Sequence, residues 1–234
     1  MLYKFVEKQF MDDFFERGSL RLGTILDFND IVTHGTARGD TAEGQHGIIR
    51  NMNGELKVQG GKPEPIVDEL FKIERDVHVR MNFKNVVLQV SRKCGDGFIF
   101  CTSNEYTDDL FRRWNLEEQT DACYQIFNPH GFYHEITKVI RSSVLVSGFK
   151  DVVYSPDPIP YNSPYAKESP AFTKEVNEYS WQKENRCVWE PLLPPTVIKP
   201  WIIEVPAARK YCRPFKILEQ GSIKNYEAEE VEGT

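Results

Sequence analysis

The segment NEYSWQKENRCVWEP, Asn177 to Pro191, concentrates side chains able to do chemistry. Trp181, Gln182, Glu184 and Arg186 lie within six positions and run directly into the apolar Cys187-Val188-Trp189. On an extended backbone, side chains two apart point the same way, so Gln182 and Glu184 would face one cleft. The segment is then either an exposed polar turn leading into a strand or a carboxylate aimed into a cleft. Plainer explanations exist for the same residues: a Glu184–Arg186 ion pair beside a strand, and Trp181 as core or rim packing. A Q-x-E triplet arises from composition alone about once in every couple of chains this size. Its setting, behind Tyr179 and Trp181 and ahead of a strand, therefore says more than the triplet.

Two further stretches carry candidates. In GFIFCTS, Thr102 and Ser103 end a strongly apolar run, where hydroxyls leave the core for a site or simply cap the following helix. In THGTARGDTAEGQHG, four glycines and no periodicity mark a long connection bearing Arg38, Asp40 and Glu43. Loops this long in compact domains are often functional, although its charges can equally pair with one another in solvent. His130 and His134 stand i, i+4 on an expected helix, without an adjacent Glu or a third ligand, so no metal site is expected. There is no G-x-S-x-G, no G-x-G-x-x-G after a strand and no phosphate-binding P-loop.

The elements that must position these residues follow from periodicity. LYKFV and SLRLG alternate as strands around a helix in EKQFMDDFFERG that ends at Gly18. HGIIRNMNGELKVQGG reads as a hairpin turning at Asn53-Gly54. EPIVDELFKIERDV has helical spacing, and NVVLQVS and GFIFCTS are buried strands. EYTDDLFRRW and PHGFYHEITKVI are helices flanking the strand ACYQIF, and SSVLVSGFKDVVYS makes two strands. The proline-rich PDPIPYNSPYAKESP must be irregular or extended. PWIIEVP and PFKILEQ close the chain as strands. The expected fold is α+β, with a mostly antiparallel, two-layer, split β-sheet core and three to four helices. It forms one domain over residues 1–224, followed by an acidic disordered tail at 225–234.

Composition narrows the partners. A net charge of -6 in 234 residues argues against a general nucleic-acid surface, which needs a basic excess, but leaves room for a local basic groove. Five widely spaced cysteines without C-x-x-C are read as buried thiols of a reducing compartment. With no leader-like apolar core and no run near twenty apolar residues, the expectation is a cytoplasmic protein with no membrane contact.

These pieces resemble the ADP-ribosyltransferases of the toxin-like class. Those carry a basic residue on the first strand, an aromatic-x-Ser-Thr-Ser motif ending a middle strand, and Q-x-E or E-x-E before a late strand. Here the corresponding residues are Tyr3-Lys4, FIFCTS and Gln182-Lys183-Glu184, in that order. DFND…RGDTAEG with SWQKENRCVW also resembles a set of uncharacterised bacterial and phage proteins, in which an early Asn-Asp loop is coupled to a late Trp-x-x-Glu-x-Arg segment. Cys101 and Lys4 depart from the transferase pattern, and the spacing between middle and late motifs is longer.

The resemblance implies NAD as a substrate, and ADP-ribosyl transfer or NAD glycohydrolysis onto an unknown protein or nucleic-acid acceptor, in a toxin or phage-conflict setting. It makes Glu184 catalytic, with Gln182 orienting the acceptor or ribose. Tyr3 or Trp181 would stack on nicotinamide, Lys4, Arg38 or Arg186 would meet the pyrophosphate, and Thr102 and Ser103 would brace Glu184. Two other readings stand beside it: a non-catalytic protein- or nucleotide-binding module on the same fold, and a metal-dependent nuclease using Asp40, Glu43 and Glu184.

Overall fold

Strand β1 (Leu2–Val6), helix α1 (Lys8–Arg17) and strand β2 (Ser19–Thr24) open the chain, as the periodicity requires. The computed structural model describes residues 1–30, 32, 39–59, 64–71, 80–193 and 197–226. Helix α1 buries Met11 and Phe14 and stops at Gly18, whose φ of 81° is left-handed and whose N–H bonds back to the Asp13 and Phe14 carbonyls. A Cβ at Gly18 would lie 2.4 Å from the Pro206 nitrogen, so backbone conformation and close approach both demand glycine.

The centre of the large sheet is β5 (Phe98–Ser103). One edge of β5 pairs antiparallel with β11 (Glu184–Pro191), which pairs in turn with β7 (Val144–Asp151). The other edge is shared. Phe98 and Ile99 pair with β2, while Ser103 pairs with β1. From there β1 continues to β6 (Ala122–Ile126), β13 (Cys212–Glu219) and β14 (Ser222–Asn225), whereas β2 continues to β12 (Trp201–Glu204). The sheet therefore splits along one edge of β5. Helix α1, a helix at Pro129–Ile140 and the 3-10 turn Pro206–Tyr211 cover one face around Phe14, Tyr124, Phe132 and Trp189. The other face packs Phe5 and Cys123 against the helix Asp108–Glu118, and Ile99 and Val188 against the turn Pro170–Phe172.

A second, three-stranded sheet consists of β3 (Gln45–Gln59), β4 (Arg80–Lys93) and β9 (Ile159–Pro160). With helix α2 (Pro65–Phe71) it encloses its own core of Ile48, Met52, Ile66, Val67 and Leu88. The expected hairpin at Asn53-Gly54 is corrected here. Strand β3 runs through that dipeptide, and its register against β4 shifts between Met52 and Glu55. Gly54, at φ 100°, donates its N–H to Asn85 Oδ1 at 2.9 Å. Pairing with β4 on both sides turns a local turn preference into a bulge.

The helices at Asp108–Glu118 and Pro129–Ile140 are α3 and α4, and α5 is Val176–Tyr179. Five α-helices thus have described bounds, against three to four expected. The excess comes from connections that wind into single turns. The proline-rich segment holds β9 and two 3-10 turns, then leads into β10 (Thr173–Glu175), parallel to β8 (Val153–Ser155). At the C-terminus, Asn225 closes β14 and the Tyr226 N–H bonds to the Phe215 carbonyl, so ordered chain reaches past 224. The remainder of the acidic stretch, 227–234, lies outside the described residues. Among the described residues no helix is long and apolar enough to cross a membrane.

Candidate functional site

Register brings the three sequence motifs side by side. Tyr3 of β1 faces Ser103 of β5, and Ser103 faces Glu184 of β11. Paired residues on neighbouring strands project to the same face. Tyr3, Ser103 and Glu184 thus form one row across three strands, with Cys101 opposite Arg186 two positions along. The alternate residues point the other way. Lys4 donates from Nζ to the Cys101 carbonyl at 2.7 Å and lies 4.6 Å over the Phe100 ring. Thr102 Oγ1 donates to the Asn185 carbonyl at 3.2 Å and lies 3.3 Å from the Tyr133 hydroxyl. Lys4 and Thr102 therefore do not join Glu184, because strand alternation places them on the face covered by α1 and the helix Pro129–Ile140, hereafter the helix-covered face.

Beneath the row is a buried ion network. Arg186 is 1% exposed, and its five N–H groups meet five acceptors. Nε donates to Glu184 Oε1 at 2.8 Å and one terminal nitrogen donates to Glu184 Oε2 at 3.1 Å. The fork also grips Glu43 Oε1 at 2.5 Å and Oε2 at 2.9 Å, and the last N–H reaches the Ala171 carbonyl at 2.8 Å. Lys174 completes the set, with Nζ 2.9 Å from Gln182 Oε1, 3.2 Å from Glu184 Oε2 and 3.9 Å from Glu43 Oε2. Two carboxylates and two cations balance in a site where an unpaired charge would be costly. Burial by itself would raise the Glu184 carboxyl, but the Arg186 and Lys174 charges outweigh it and hold that carboxyl far below the usual range. Burial likewise disfavours the charged guanidinium, yet Glu184 and Glu43 push the Arg186 pKa well above its ordinary value.

Gln182 and Glu184 converge, but not for the reason their spacing suggests. Gln182 sits in the 3-10 turn Ser180–Gln182 and Lys183 is left-handed at φ 49°, so the segment is not extended. The two side chains meet instead at Lys174 Nζ. Ser103 supports that turn through backbone: its Oγ lies 2.9 Å from the Gln182 carbonyl and 3.0 Å from the Glu105 carbonyl. It braces Glu184 through the chain, not by binding the carboxylate. Burial first, then the Glu184 charge, raises the pKa of the Cys101 thiol.

The remaining expected residues lie elsewhere. Tyr3 packs 5.7 Å from both Tyr106 and Phe215. Trp181 packs 4.8 Å from Trp114, with the Arg113 guanidinium 4.0 Å over its ring. Arg186, expected at a pyrophosphate, has every donor engaged inside the protein. Arg38 falls outside the described residues. Of the three acids named for the nuclease reading, Glu43 and Glu184 both bind the Arg186 guanidinium. Among the described residues, no group of three or more His, Cys, Asp or Glu is arranged to hold a metal ion.

Sequence reasoning did not assign Lys174 a role, and gave Glu43 as a loop charge and as a candidate metal ligand, not as a partner of Arg186. Lys174 carries no local signal, being brought in by the parallel pairing of β10 with β8. The signal for Glu43 was its place on the long glycine-rich connection. Comparison with protein-family models, with curated proteins and with solved structures finds no match for this chain.

Proposed function

We propose that the protein consumes NAD, transferring ADP-ribose to a macromolecular acceptor or to water. The observation that carries this reading is the row Tyr3–Ser103–Glu184 on three adjacent strands at the point where the sheet splits. In this mechanism the bond between nicotinamide and ribose breaks with its electron pair leaving on the nicotinamide nitrogen. Positive charge then develops on the ribose, and Glu184 stabilises it. An acceptor hydroxyl or water forms the new bond to that ribose carbon and gives up its proton to solvent water, while nicotinamide leaves neutral. The Arg186 fork locks the Glu184 rotamer and keeps it ionised.

A second reading, a non-catalytic binding module, is favoured by the completeness of the network and by a Glu184 that is only 6% exposed. One assay separates the two. Wild-type protein incubated with NAD should release free nicotinamide, and Glu184→Gln should cut the rate by about 100-fold or more while leaving the circular dichroism unchanged. A wild-type protein that releases none sinks the enzymatic reading.

A further inference from the structure

A small recess opens beside the network, with a volume of about 30 Å³ and a lining that includes Asp40, His46, Ser155, Asp157, Thr173 and Lys174. That space holds one water, or one hydroxyl or amide end of a larger molecule. His46 is 5% exposed, and its Nε2 has no hydrogen-bond partner among the described residues. The tautomer follows from its neighbour. Thr173 has a single hydroxyl proton, and its Oγ1 lies 3.2 Å from the Pro170 carbonyl, which can only accept. The 2.9 Å contact between Thr173 Oγ1 and His46 Nδ1 therefore takes its proton from Nδ1. Nε2 is left as a lone-pair acceptor. Burial, and then the Arg92 charge, lowers the His46 pKa, in keeping with a neutral ring; Asp157 and Glu168 oppose this more weakly.

The rest of the lining selects the ligand's charge. Asp40 and Asp157 are carboxyls, each accepting a backbone N–H, from Ala42 at 2.8 Å and Gly47 at 2.7 Å. The Lys174 ammonium is committed to Gln182 and Glu184. A phosphate would find carboxyls and a bare acceptor nitrogen, so an anion is disfavoured. An uncharged donor finds its complement at Nε2.

We infer that this recess is a subsite for an uncharged hydrogen-bond donor of the substrate, a ribose hydroxyl or the nicotinamide carboxamide, received by His46 Nε2. The inference rests on the NAD reading above, and Lys174 joins the two places, lining the recess while its ammonium contacts Glu184.

The test is calorimetric titration of the full chain with ADP-ribose and, separately, with nicotinamide, using wild type and His46→Asn. Asparagine sets an amide nitrogen near the position of Nδ1, so it keeps the Thr173 contact and removes the Nε2 acceptor. The expected result is binding of at least one probe by wild type and about tenfold weaker binding by the variant, the loss of one buried hydrogen bond. Weakening confined to ADP-ribose assigns the ribose, and weakening confined to nicotinamide assigns the carboxamide. In parallel, the His46 Nε2 resonance of ¹⁵N-labelled wild type should move on saturation, a readout that decides the matter if the variant does not fold. Unchanged affinity in a folded variant, or a motionless Nε2 resonance, overturns the subsite and leaves the NAD reading standing. Wild-type protein that binds neither probe overturns both.

Discussion

The two faces of strands β1, β5 and β11 obey different rules. On one face Glu184 and Arg186 enter the ion network, flanked by Cys101, by Ser103 bound to the Gln182 and Glu105 carbonyls, and by Tyr3 packed on Tyr106 and Phe215. On the other, Lys4, Phe100, Thr102, Cys187 and Trp189 face the helices, and Trp189 is fully buried with its Nε1 donating to Thr137 Oγ1 at 2.9 Å. The helix-covered face is held by apolar area removed from water, a contribution that is graded and nearly independent of pH. The network is held by mutual neutralisation, so removing one member strands the others. Sequence neighbours one position apart thus belong to different energetic regimes. Chemistry can be built only where ionised groups are already held in place.

The largest effect that sharpens this contrast is Arg186→Met. It leaves Glu43 and Glu184 buried with Lys174 alone, and should cost about 3–5 kcal/mol in denaturant unfolding. Adding Glu43→Gln to that variant should recover part of the loss, because one of the stranded carboxylates disappears. A cost within the ±0.5 kcal/mol of an ordinary surface change would mean the network holds nothing together.

Next in size is a pH effect at Glu184. Its folded pKa lies far below the ordinary value of 4.5, so its stabilising contribution is present above that value and is lost as pH falls through and below it. Wild type should therefore be more stable than Glu184→Gln at pH 7, and the gap should close progressively below about pH 5. A gap of constant size across that range would contradict an ionised, charge-paired Glu184. Substitutions on the opposite face should show no such closing.

How much of this could be read in the chain follows from the range of the interactions. Strands β1, β5 and β11 were legible because alternation and apolar runs are local, and so was the Gly18 stop of α1. Asn53-Gly54 misled because its turn preference is also local, whereas the pairing of β3 with β4 that overrides it is not. The sequence set Lys4, Thr102 and Glu184 together, since motif order says nothing about which face a residue takes; register does. Glu43 and Lys174 lie 143 and 12 residues from Arg186 in the chain. Only the parallel β8–β10 pairing and the loop entering β3 bring their charges to the guanidinium. A network whose charges come from three separate segments, the loop before β3, β10 and β11, leaves no periodicity to detect.

The smallest effect tests the division of faces most directly. Thr102 stands one position before Ser103 in the motif that prompted the transferase reading, yet its hydroxyl makes contacts of 3.2 and 3.3 Å to Asn185 and Tyr133 on the helix-covered side. Bonds of that length lie at the weak end of the normal range. Valine matches the shape of threonine, and replacing it should cost about 1 kcal/mol, the worth of a modest buried hydrogen bond. The loss should be the same at pH 4 and pH 7, since no titrating group shares the contact. Nicotinamide release, measured alongside, should stay within about twofold of wild type, a change of roughly 0.4 kcal/mol in the barrier. If Thr102→Val instead abolished release while the fold survived, the two faces would be coupled through β5, and Thr102 would have to act on Glu184 through the Asn185 carbonyl or through its neighbour Ser103.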